Sequence, residues 1–205
     1  MEKLLHQIVS NPILHAKWLN TLSFMENAGA RKISACEHKS LVNLIQLKHA
    51  AEEHRHAYYL KKQIIKLSTD TCENYENKYL LAPKETYHYL QKLDLQVSRF
   101  LKNQFNLTNN EFKFAAYLFV TYAIEVRADA LYPTYQKVLS YTNQKVMVKS
   151  IIAEEEGHLE EMTQQLQSFH PNWEKYASEV MKFENSLFEE WISAIKKNIL
   201  DELNS

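Results

Sequence analysis

The residues of this 205-residue chain that could carry chemistry form two copies of one pattern of glutamate and histidine. Each copy has a lone glutamate followed by a Glu-x-x-His, at a separation of 27 residues in the first copy and 30 in the second. Residues three apart share one face of a helix, so each Glu-x-x-His can present a carboxylate and an imidazole to one ion. The six residues are Glu26, Glu53, His56, Glu125, Glu155 and His158.

A buried cluster of these groups requires cations. A buried carboxylate without a partner costs several kcal/mol, and four in one core repel one another. Two divalent cations would balance the four negative charges. Carboxylate and imidazole donors without a thiolate suit iron or manganese better than a structural zinc site. The pattern therefore predicts two bound iron ions, with a mixed manganese–iron or a manganese centre as alternatives.

The competing interpretation is that these residues lie on the surface. Glutamate and histidine are common on solvated helix faces, and Glu-x-x-His is short enough to arise by chance. A third instance, Glu85 to His88, lacks a matching lone glutamate, and we interpret it as a surface pair. The six residues differ from it because all fall on predicted apolar stripes in a matched double arrangement. We therefore expect them to be buried together.

The composition indicates that long helices position these residues. Two Gly and four Pro are few for this length, and Leu, Lys, Glu, Gln and Ala are abundant. Lys+Arg (24) nearly balances Asp+Glu (25), which argues against nucleic acid as a partner. No stretch approaches the roughly 20 apolar residues of a membrane span, and the first residues lack the apolar core of a signal peptide. The two cysteines form no CxxC, and we expect a cytoplasmic protein.

Apolar periodicity predicts four long helices arranged as two antiparallel hairpins. The first hairpin joins residues 11 to about 35, capped at Asn11 and Pro12, to residues 40 to about 67. The second joins a helix that begins at residues 108–110 to one over about 144–169. Pro133 is expected to kink the third helix or end it near residue 132, because proline removes a backbone donor and clashes with the preceding turn.

Three further helices are predicted outside these four. One is short and lies at the N-terminus, one over about 84–104 crosses between the hairpins, and one runs from 171 to about 203. No internal linker or repeat divides the chain, so we expect one domain over residues 1–205.

The order Glu, Glu-x-x-His, Glu, Glu-x-x-His on long helices resembles the ferritin-like di-iron carboxylate superfamily over roughly residues 12–165. Ferritins, bacterioferritins, rubrerythrins, ribonucleotide reductase small subunits, aldehyde-deformylating oxygenases and several hydroxylases belong to it. The resemblance implies an all-α, ferritin-like four-helix bundle of two antiparallel hairpins, with a long helical crossover and an extra C-terminal helix. It also implies that the six residues are ligands of two iron ions that react with dioxygen or peroxide, using an external electron donor.

Three functions are compatible with this pattern. The first is an oxidase or oxygenase acting on a small organic substrate, with Ala28, Gly29 and Ala30 leaving space beside Glu26 for dioxygen or substrate. Close helix packing is the alternative explanation of these small residues. The second function is iron or peroxide handling, although no CxxC pair is present for a rubredoxin-type donor. The third is a non-enzymatic helical interaction protein, and a homodimer is compatible with each.

Residues near the predicted ligands are candidates for supporting roles. Asp129, one turn after Glu125, is a candidate to accept the outer N–H of a ligand histidine, with a surface ion pair as the alternative. Tyr59 and Tyr122 are candidates to carry electrons or line a pocket, or are core residues. His49, one turn before Glu53, is interpreted as a hydrogen-bonded core histidine rather than a seventh ligand.

Two further glutamates compete for the ligand positions. Glu52 and Glu154 directly precede Glu53 and Glu155, and each lies four residues before a predicted ligand histidine. A slight rotation of either helix would place Glu52 or Glu154 at the ligand position in place of its neighbour.

Overall fold

The computed structural model describes residues 1–67 and 72–203, and every regular element within these ranges is helical. The beginning of the loop predicted after the second long helix, residues 68–71, lies outside the described residues. Single 3-10 turns occur at Ile65–Leu67 and Asn77–Tyr79. The helices are α1 (Glu2–Val9), α2 (Pro12–Cys36), α3 (Leu44–Ile64), α4 (Pro83–Gln104), α5 (Asn109–Tyr141), α6 (Lys149–Phe169) and α7 (Trp173–Leu203). The all-α prediction is confirmed.

Asparagine caps begin both helices of the first hairpin. The Asn11 side chain accepts hydrogen bonds from the amides of Ile13 and Leu14 at 3.0 and 3.2 Å. Asn43 caps α3 in the same way, so this helix begins at Leu44 rather than near residue 40. Val42 therefore lies before the helix and is exposed. Asparagine is favoured at such positions because its side-chain oxygen satisfies amides that have no helical partner.

Helix α5 passes through Pro133 and continues to Tyr141, so the expected end near residue 132 is wrong. An interior proline costs roughly 3 kcal/mol, but most helical stability in proteins comes from tertiary packing. Tyr135 and Leu139, on the turns that follow Pro133, are fully buried. Their burial explains why the helix persists.

The first hairpin, α2 with α3, is antiparallel as predicted. The Ser23 hydroxyl donates to the Ala57 carbonyl at 2.7 Å, and the Gln46 side chain donates to the Ile33 carbonyl at 3.1 Å. Chain numbers therefore rise on one helix as they fall on the other. The predicted lone glutamate of α2 and the Glu-x-x-His of α3 lie between these two contacts. Helices α5 and α6 form the second hairpin.

Helices α4 and α7 pack together on the outside of α5. The indole of Trp191 on α7 donates to the Thr86 hydroxyl on α4 at 2.8 Å. It also stacks on Trp18 of α2, with ring centroids 5.7 Å apart. The two outer helices thus cover the seam between α2 and α5. Among the described helices, none combines the length and apolar character of a membrane span.

A histidine is buried in this core away from the predicted ligands. His15 of α2 has no exposed surface, and its Nε2 lies 2.6 Å from the hydroxyl oxygen of Tyr135. Burial lowers the pKa of His15 to about 4, because the core cannot solvate an imidazolium.

We expect His15 to make stability depend on pH. Between about pH 6.5 and 4 the unfolded chain binds a proton at His15 that the native protein does not bind. Acidification through this window should therefore lower the free energy of unfolding, by up to about 3 kcal/mol. Urea unfolding of wild type and His15→Gln at several pH values measures the contribution as their difference.

The free energy of unfolding of wild type minus that of His15→Gln should decrease as the pH falls from 7 to 4. His54→Gln, at an exposed position of α3, controls for the loss of one histidine. A His15→Gln difference that stays constant across the range would contradict the assignment.

Candidate metal centre

The six predicted residues converge inside the bundle, three from each hairpin. Their donor atoms form two overlapping groups, in each of which all atoms lie within 4.8 Å of one another. The first group is Glu26, Glu53, His56 and Glu155, and the second is Glu53, Glu125, Glu155 and His158. Glu53 and Glu155 belong to both groups. We call these six residues the Glu/His cluster, and its shape suits two cations that share two carboxylates.

The cluster is removed from bulk water. Glu26 is half-buried, whereas the other five residues are buried, with at most 7% of their surface exposed. Helices α2, α3, α5 and α6 each contribute at least one member. The interpretation of these residues as solvated surface groups is therefore wrong.

Both histidines turn Nδ1 toward the cluster. Nδ1 of His56 lies 3.1 Å from a Glu155 oxygen and 3.9 Å from a Glu53 oxygen. Nδ1 of His158 lies 3.5 to 3.7 Å from oxygens of Glu53, Glu125 and Glu155. An imidazole binds a metal ion through one ring nitrogen, and Nδ1 would be that nitrogen in both residues.

The outer nitrogens are held by the two glutamates that compete for ligand positions. Nε2 of His56 lies 2.7 Å from Glu154, and Nε2 of His158 lies 2.8 Å from Glu52. An ionised carboxylate only accepts, so Nε2 carries a proton, and Nδ1 can offer its lone pair when it has none. Glu53 and Glu155 are therefore the cluster members, while their neighbours orient the imidazoles.

These outer contacts cross between the two halves of the bundle. Glu154 on α6 holds the histidine of α3, and Glu52 on α3 holds the histidine of α6. Arg55 donates to both oxygens of Glu154 at 2.7 Å. Although partial burial opposes it, hydrogen bonds from Arg55 and His56 lower the pKa of Glu154. Glu154 therefore stays ionised, as an acceptor for Nε2 must be.

Electrostatics within the cluster indicate a place for positive charge. Burial of the carboxyl groups, then repulsion from Glu53 and Glu155 respectively, raises the pKa of Glu26 and of Glu125 well above the usual range. Burial alone would lower the pKa of His158, but the nearby carboxylates of Glu125, Glu155 and Glu53 raise it. Each of these shifts favours the protonated form of the group.

Three buried atoms of the cluster have no hydrogen-bond partner. They are Nδ1 of His56, Nδ1 of His158 and Oε2 of Glu125. A buried polar atom without a partner costs about 1 to 3 kcal/mol. All three belong to the two groups of donors, where a cation would give each of them a partner. The donor set therefore fits a pair of metal ions.

Sequence reasoning missed the tyrosine at this site, Tyr132. Its hydroxyl donates a hydrogen bond to Oε1 of Glu26. Burial, then the charge of Glu26, raises the pKa of Tyr132 well above its usual range, so the hydroxyl keeps its proton. The signal was available, because Tyr132 lies seven residues, or two helical turns, after Glu125.

Three candidate residues lie away from the cluster, and of these Tyr59 and Tyr122 pack against the core, which was the alternative given for them. Asp129 lies on the outer side of α5 and is exposed, so it holds no ligand imidazole. Tyr122 packs edge-on against Trp173, with centroids 5.7 Å apart. The Tyr59 hydroxyl donates to the Met147 carbonyl at 3.0 Å. Asp129 and Tyr122 lie on faces of α5 that are turned away from the cluster, and Tyr59 of α3 reaches the residues just before α6. Residue spacing alone does not reveal these directions.

His49 is a hydrogen-bonded core histidine, as predicted. It has no exposed surface, with Nε2 2.8 Å from Glu161 and Nδ1 3.2 Å from the Tyr117 hydroxyl. Its ring centroid lies 4.5 Å from that of His158. Both nitrogens are engaged, so His49 supports the cluster from outside. The pair Glu85 and His88 lies on α4, where His88 is exposed, which confirms its interpretation as a surface pair.

A narrow, largely apolar cavity adjoins the cluster on its glutamate side. Glu26, Glu53 and Glu125 line it, whereas neither cluster histidine does. The space open to the centres of water molecules is about 80 Å³, several times the roughly 10–15 Å³ needed for one water. One face of α2 and one face of α5 form its long walls, and residues of α4 and α7 close it. Tyr117 and Tyr132 are the α5 tyrosines that line it.

Only the middle residue of the predicted small stretch faces this cavity. Gly29 lines it, whereas Ala30 is fully buried elsewhere and Ala28 lines a separate surface groove. Successive helical residues are about 100° apart, so three in a row cannot share one face. A Cβ at Gly29 would meet no atom within 4 Å, which contradicts close packing as the reason for this glycine.

Comparison of the chain with protein-family models, curated proteins and solved structures found no match. The resemblance to the ferritin-like di-iron superfamily therefore stays a prediction. The geometry of the cluster and of the cavity is the basis on which function can be inferred.

We expect wild type to bind two metal ions per chain, one for each group of donors. Glu125→Ala removes an oxygen from the second group only, and should reduce tight binding to about one ion. Anaerobic titration with ferrous iron, followed by elemental analysis, measures the stoichiometry. Glu85→Ala and His88→Ala remove the same residue types from the surface and should retain both ions. Equal losses in all three variants would show that the site lies elsewhere.

The outer glutamates should control affinity without changing the number of ions. Glu154→Ala leaves Nε2 of His56 without its acceptor, so metal affinity should fall by about 10- to 100-fold. Competition with a metal-binding dye measures the change. Glu156→Ala, two residues away and exposed, is the matched control and should have no effect. If both variants bind metal as wild type does, the cross-helix contacts have no role in ligand orientation.

Proposed function

We propose that the Glu/His cluster binds two transition-metal ions, iron in the first instance, and that the protein is an oxidase or oxygenase. It would use dioxygen or peroxide to oxidise a small organic substrate held in the adjoining cavity. One observation carries the proposal: two donor groups that share Glu53 and Glu155 lie against an apolar cavity. The combination provides a place for metal ions and a place for an organic molecule beside them.

The distribution of donors supports a balanced pair of sites. Each ion would have one unshared glutamate and one histidine, and the two remaining glutamates would serve both ions. Four carboxylates compensate the charge of two divalent cations, which removes the repulsion within the cluster. Oxygen-rich donor sets with imidazole suit iron and manganese, so either metal, or one of each, is compatible.

A pair of iron ions in the cluster would supply the electrons and Lewis acidity that the reduction of dioxygen or peroxide requires. The residues of the chain have separate tasks. Glu52 and Glu154 fix the two imidazoles, and Tyr132 holds a proton at Oε1 of Glu26, at the wall of the cavity. The apolar walls exclude water and favour an organic occupant.

Repeated turnover would require an external electron donor, because the sequence offers no CxxC pair of its own. Two cysteines without a disulfide framework suit a reducing compartment, and we include a cytoplasmic location in the proposal. Iron or peroxide handling by the same cluster is the second candidate function. The apolar cavity favours the organic substrate, because iron ions need polar groups along their path.

Gly29→Leu tests the reaction class by filling the cavity while leaving the six cluster residues in place. Open space surrounds the position, and leucine favours a helix over glycine by up to roughly 1 kcal/mol, so folding should be retained. We expect the variant to bind as much iron as wild type. In the absence of an organic substrate, dioxygen should oxidise the bound iron as it does in wild type. Oxygen consumption stimulated by a panel of small apolar substrates should be lost.

Gly157→Leu is the matched control, since it is also a helical glycine with open space around it but does not line the cavity. It should retain substrate-stimulated oxygen consumption. If wild type instead oxidises excess iron catalytically and builds a mineral, with no organic substrate stimulating it, iron handling replaces the oxygenase. Metal content near zero after anaerobic reconstitution would favour a non-enzymatic protein.

A further inference from the structure

We infer that the cavity binds a linear alkyl chain with an anionic group at the end remote from the Glu/His cluster. The inference names the substrate class of the cavity and rests on the proposed function only for what happens to the bound chain. Binding itself follows from the shape, lining and charge of the cavity, and can be measured with or without metal.

The shape of the cavity is long and thin. Its α2 wall extends from Leu22 to Cys36 along one helix face, fourteen residues or about 21 Å of helix axis. Its α5 wall extends from Tyr117 to Tyr132. Spread over this length, about 80 Å³ of space open to water centres leaves a passage one small group wide. A linear chain fits such a passage, whereas a ring or a branched molecule does not.

The two walls run antiparallel, which fixes the ends of the cavity. His15 of α2 contacts Tyr135 of α5, and further along α2, Glu26 contacts Tyr132. The α2 wall therefore leads from the cluster at Glu26 to Cys36, opposite the early part of α5. Between these ends the lining is largely apolar and includes aliphatic side chains, with Ile33 on α2 and Val120, Ile124 and Ala128 on α5. Methylene groups are favoured there because they leave water for apolar walls.

The remote end of the cavity is surrounded by charged groups with a positive excess. Lys32 lines the cavity there, and its ammonium lies 2.6 Å from Asp94 of α4. Burial raises the pKa of the Cys36 thiol, while Lys32 and Lys113 lower it and Asp94 raises it. The charges of these three residues therefore act on this end of the cavity. An anionic group fits beside Lys32, because its ammonium has three N–H donors, and its partner Asp94 is partly exposed.

The other cation of the lining is held by a fully buried carboxylate. Arg127 donates to both oxygens of Glu184, at 2.6 and 2.7 Å, and Glu184 is fully buried. Arg127 also stacks over the ring of Phe188. Its charge is therefore not available to a ligand, which leaves Lys32 as the group that sets the orientation of the chain.

The cluster faces the interior of the bound chain rather than its end. Lys32 and Glu26 are six residues apart, about 9 Å along the axis of α2. The cavity continues past Glu26 to Leu22 and Leu131, where the tail of the chain would lie. A chain shorter than the distance between Lys32 and Glu26 would therefore not reach the cluster.

Calorimetric titration of the full-length protein, both metal-free and metal-loaded, tests the inference with four probes. They are decanoate, decan-1-ol, decylamine and cyclohexanecarboxylate. Decanoate should bind once per chain, and decan-1-ol about tenfold more weakly, because it lacks the charge-assisted hydrogen bond to Lys32. Decylamine and the cyclic acid should show no saturable binding, for reasons of charge and width respectively.

Two variants locate the binding. Lys32→Gln should weaken decanoate about tenfold and leave decan-1-ol unchanged, while Lys197→Gln, at an exposed position outside the cavity, should change neither. Gly29→Leu should abolish binding of both linear probes. Should Gly29→Leu fail to fold by circular dichroism, Ala128→Leu obstructs the same passage from α5.

Equal affinity for decanoate and decan-1-ol, together with no effect of Lys32→Gln, would overturn the anionic end group. Linear probes that do not bind, or that bind unchanged when the passage is obstructed, would overturn the inference altogether. Metal stoichiometry separates these results from the proposed function. If the protein binds decanoate but takes up no metal, the inference is supported and the proposed oxygenase function is wrong. If it binds two metal ions but no alkyl chain, the inference is wrong and the proposed metal centre is supported.

Discussion

The mutual repulsion of four carboxylates in the middle of a helical bundle is the constraint on which the rest of this structure depends. Glu53, Glu125 and Glu155 are almost fully buried, and Glu26 joins them from the wall of the cavity. No apolar core gains stability from such a group of charges. In the structure two histidines lie among the carboxylates, and three donor atoms of the cluster remain without partners. Cations would remove the repulsion and would give the three unpaired donor atoms a partner.

The bundle holds this cluster with contacts that cross from one hairpin to the other. Glu52 and Glu154 each orient a histidine on the opposite helix, and His49 is held in the same way by Glu161. The helices α3 and α6 are therefore joined by charged hydrogen bonds rather than by apolar packing alone. The two halves are not equivalent, because Tyr132 contacts the unshared glutamate of one group while Glu125 has an oxygen without a partner.

The outer helices shape the cavity as well as packing on the bundle. Helices α4 and α7 cover the seam between α2 and α5, and the side chains that meet there leave a long passage instead of a filled core. A glycine with open space at its Cβ position and a lysine at the remote end give that passage its width and its charge. A chain that served only to hold metal ions would have no use for an apolar passage beside them.

The sequence alone determined the helices and the six cluster residues, because apolar periodicity and i, i+3 spacing are local properties of a helix. It also identified His49 as a core residue and Glu85 with His88 as a surface pair. Only the tertiary structure decided which carboxylates orient the histidines. Glu52 and Glu154 have this role instead of the predicted Asp129, because the contacts cross between helices that are far apart in the chain. The same holds for Tyr132 and for the passage along Gly29: both depend on how α2 faces α5, and spacing within one helix carries no information about the neighbour it meets.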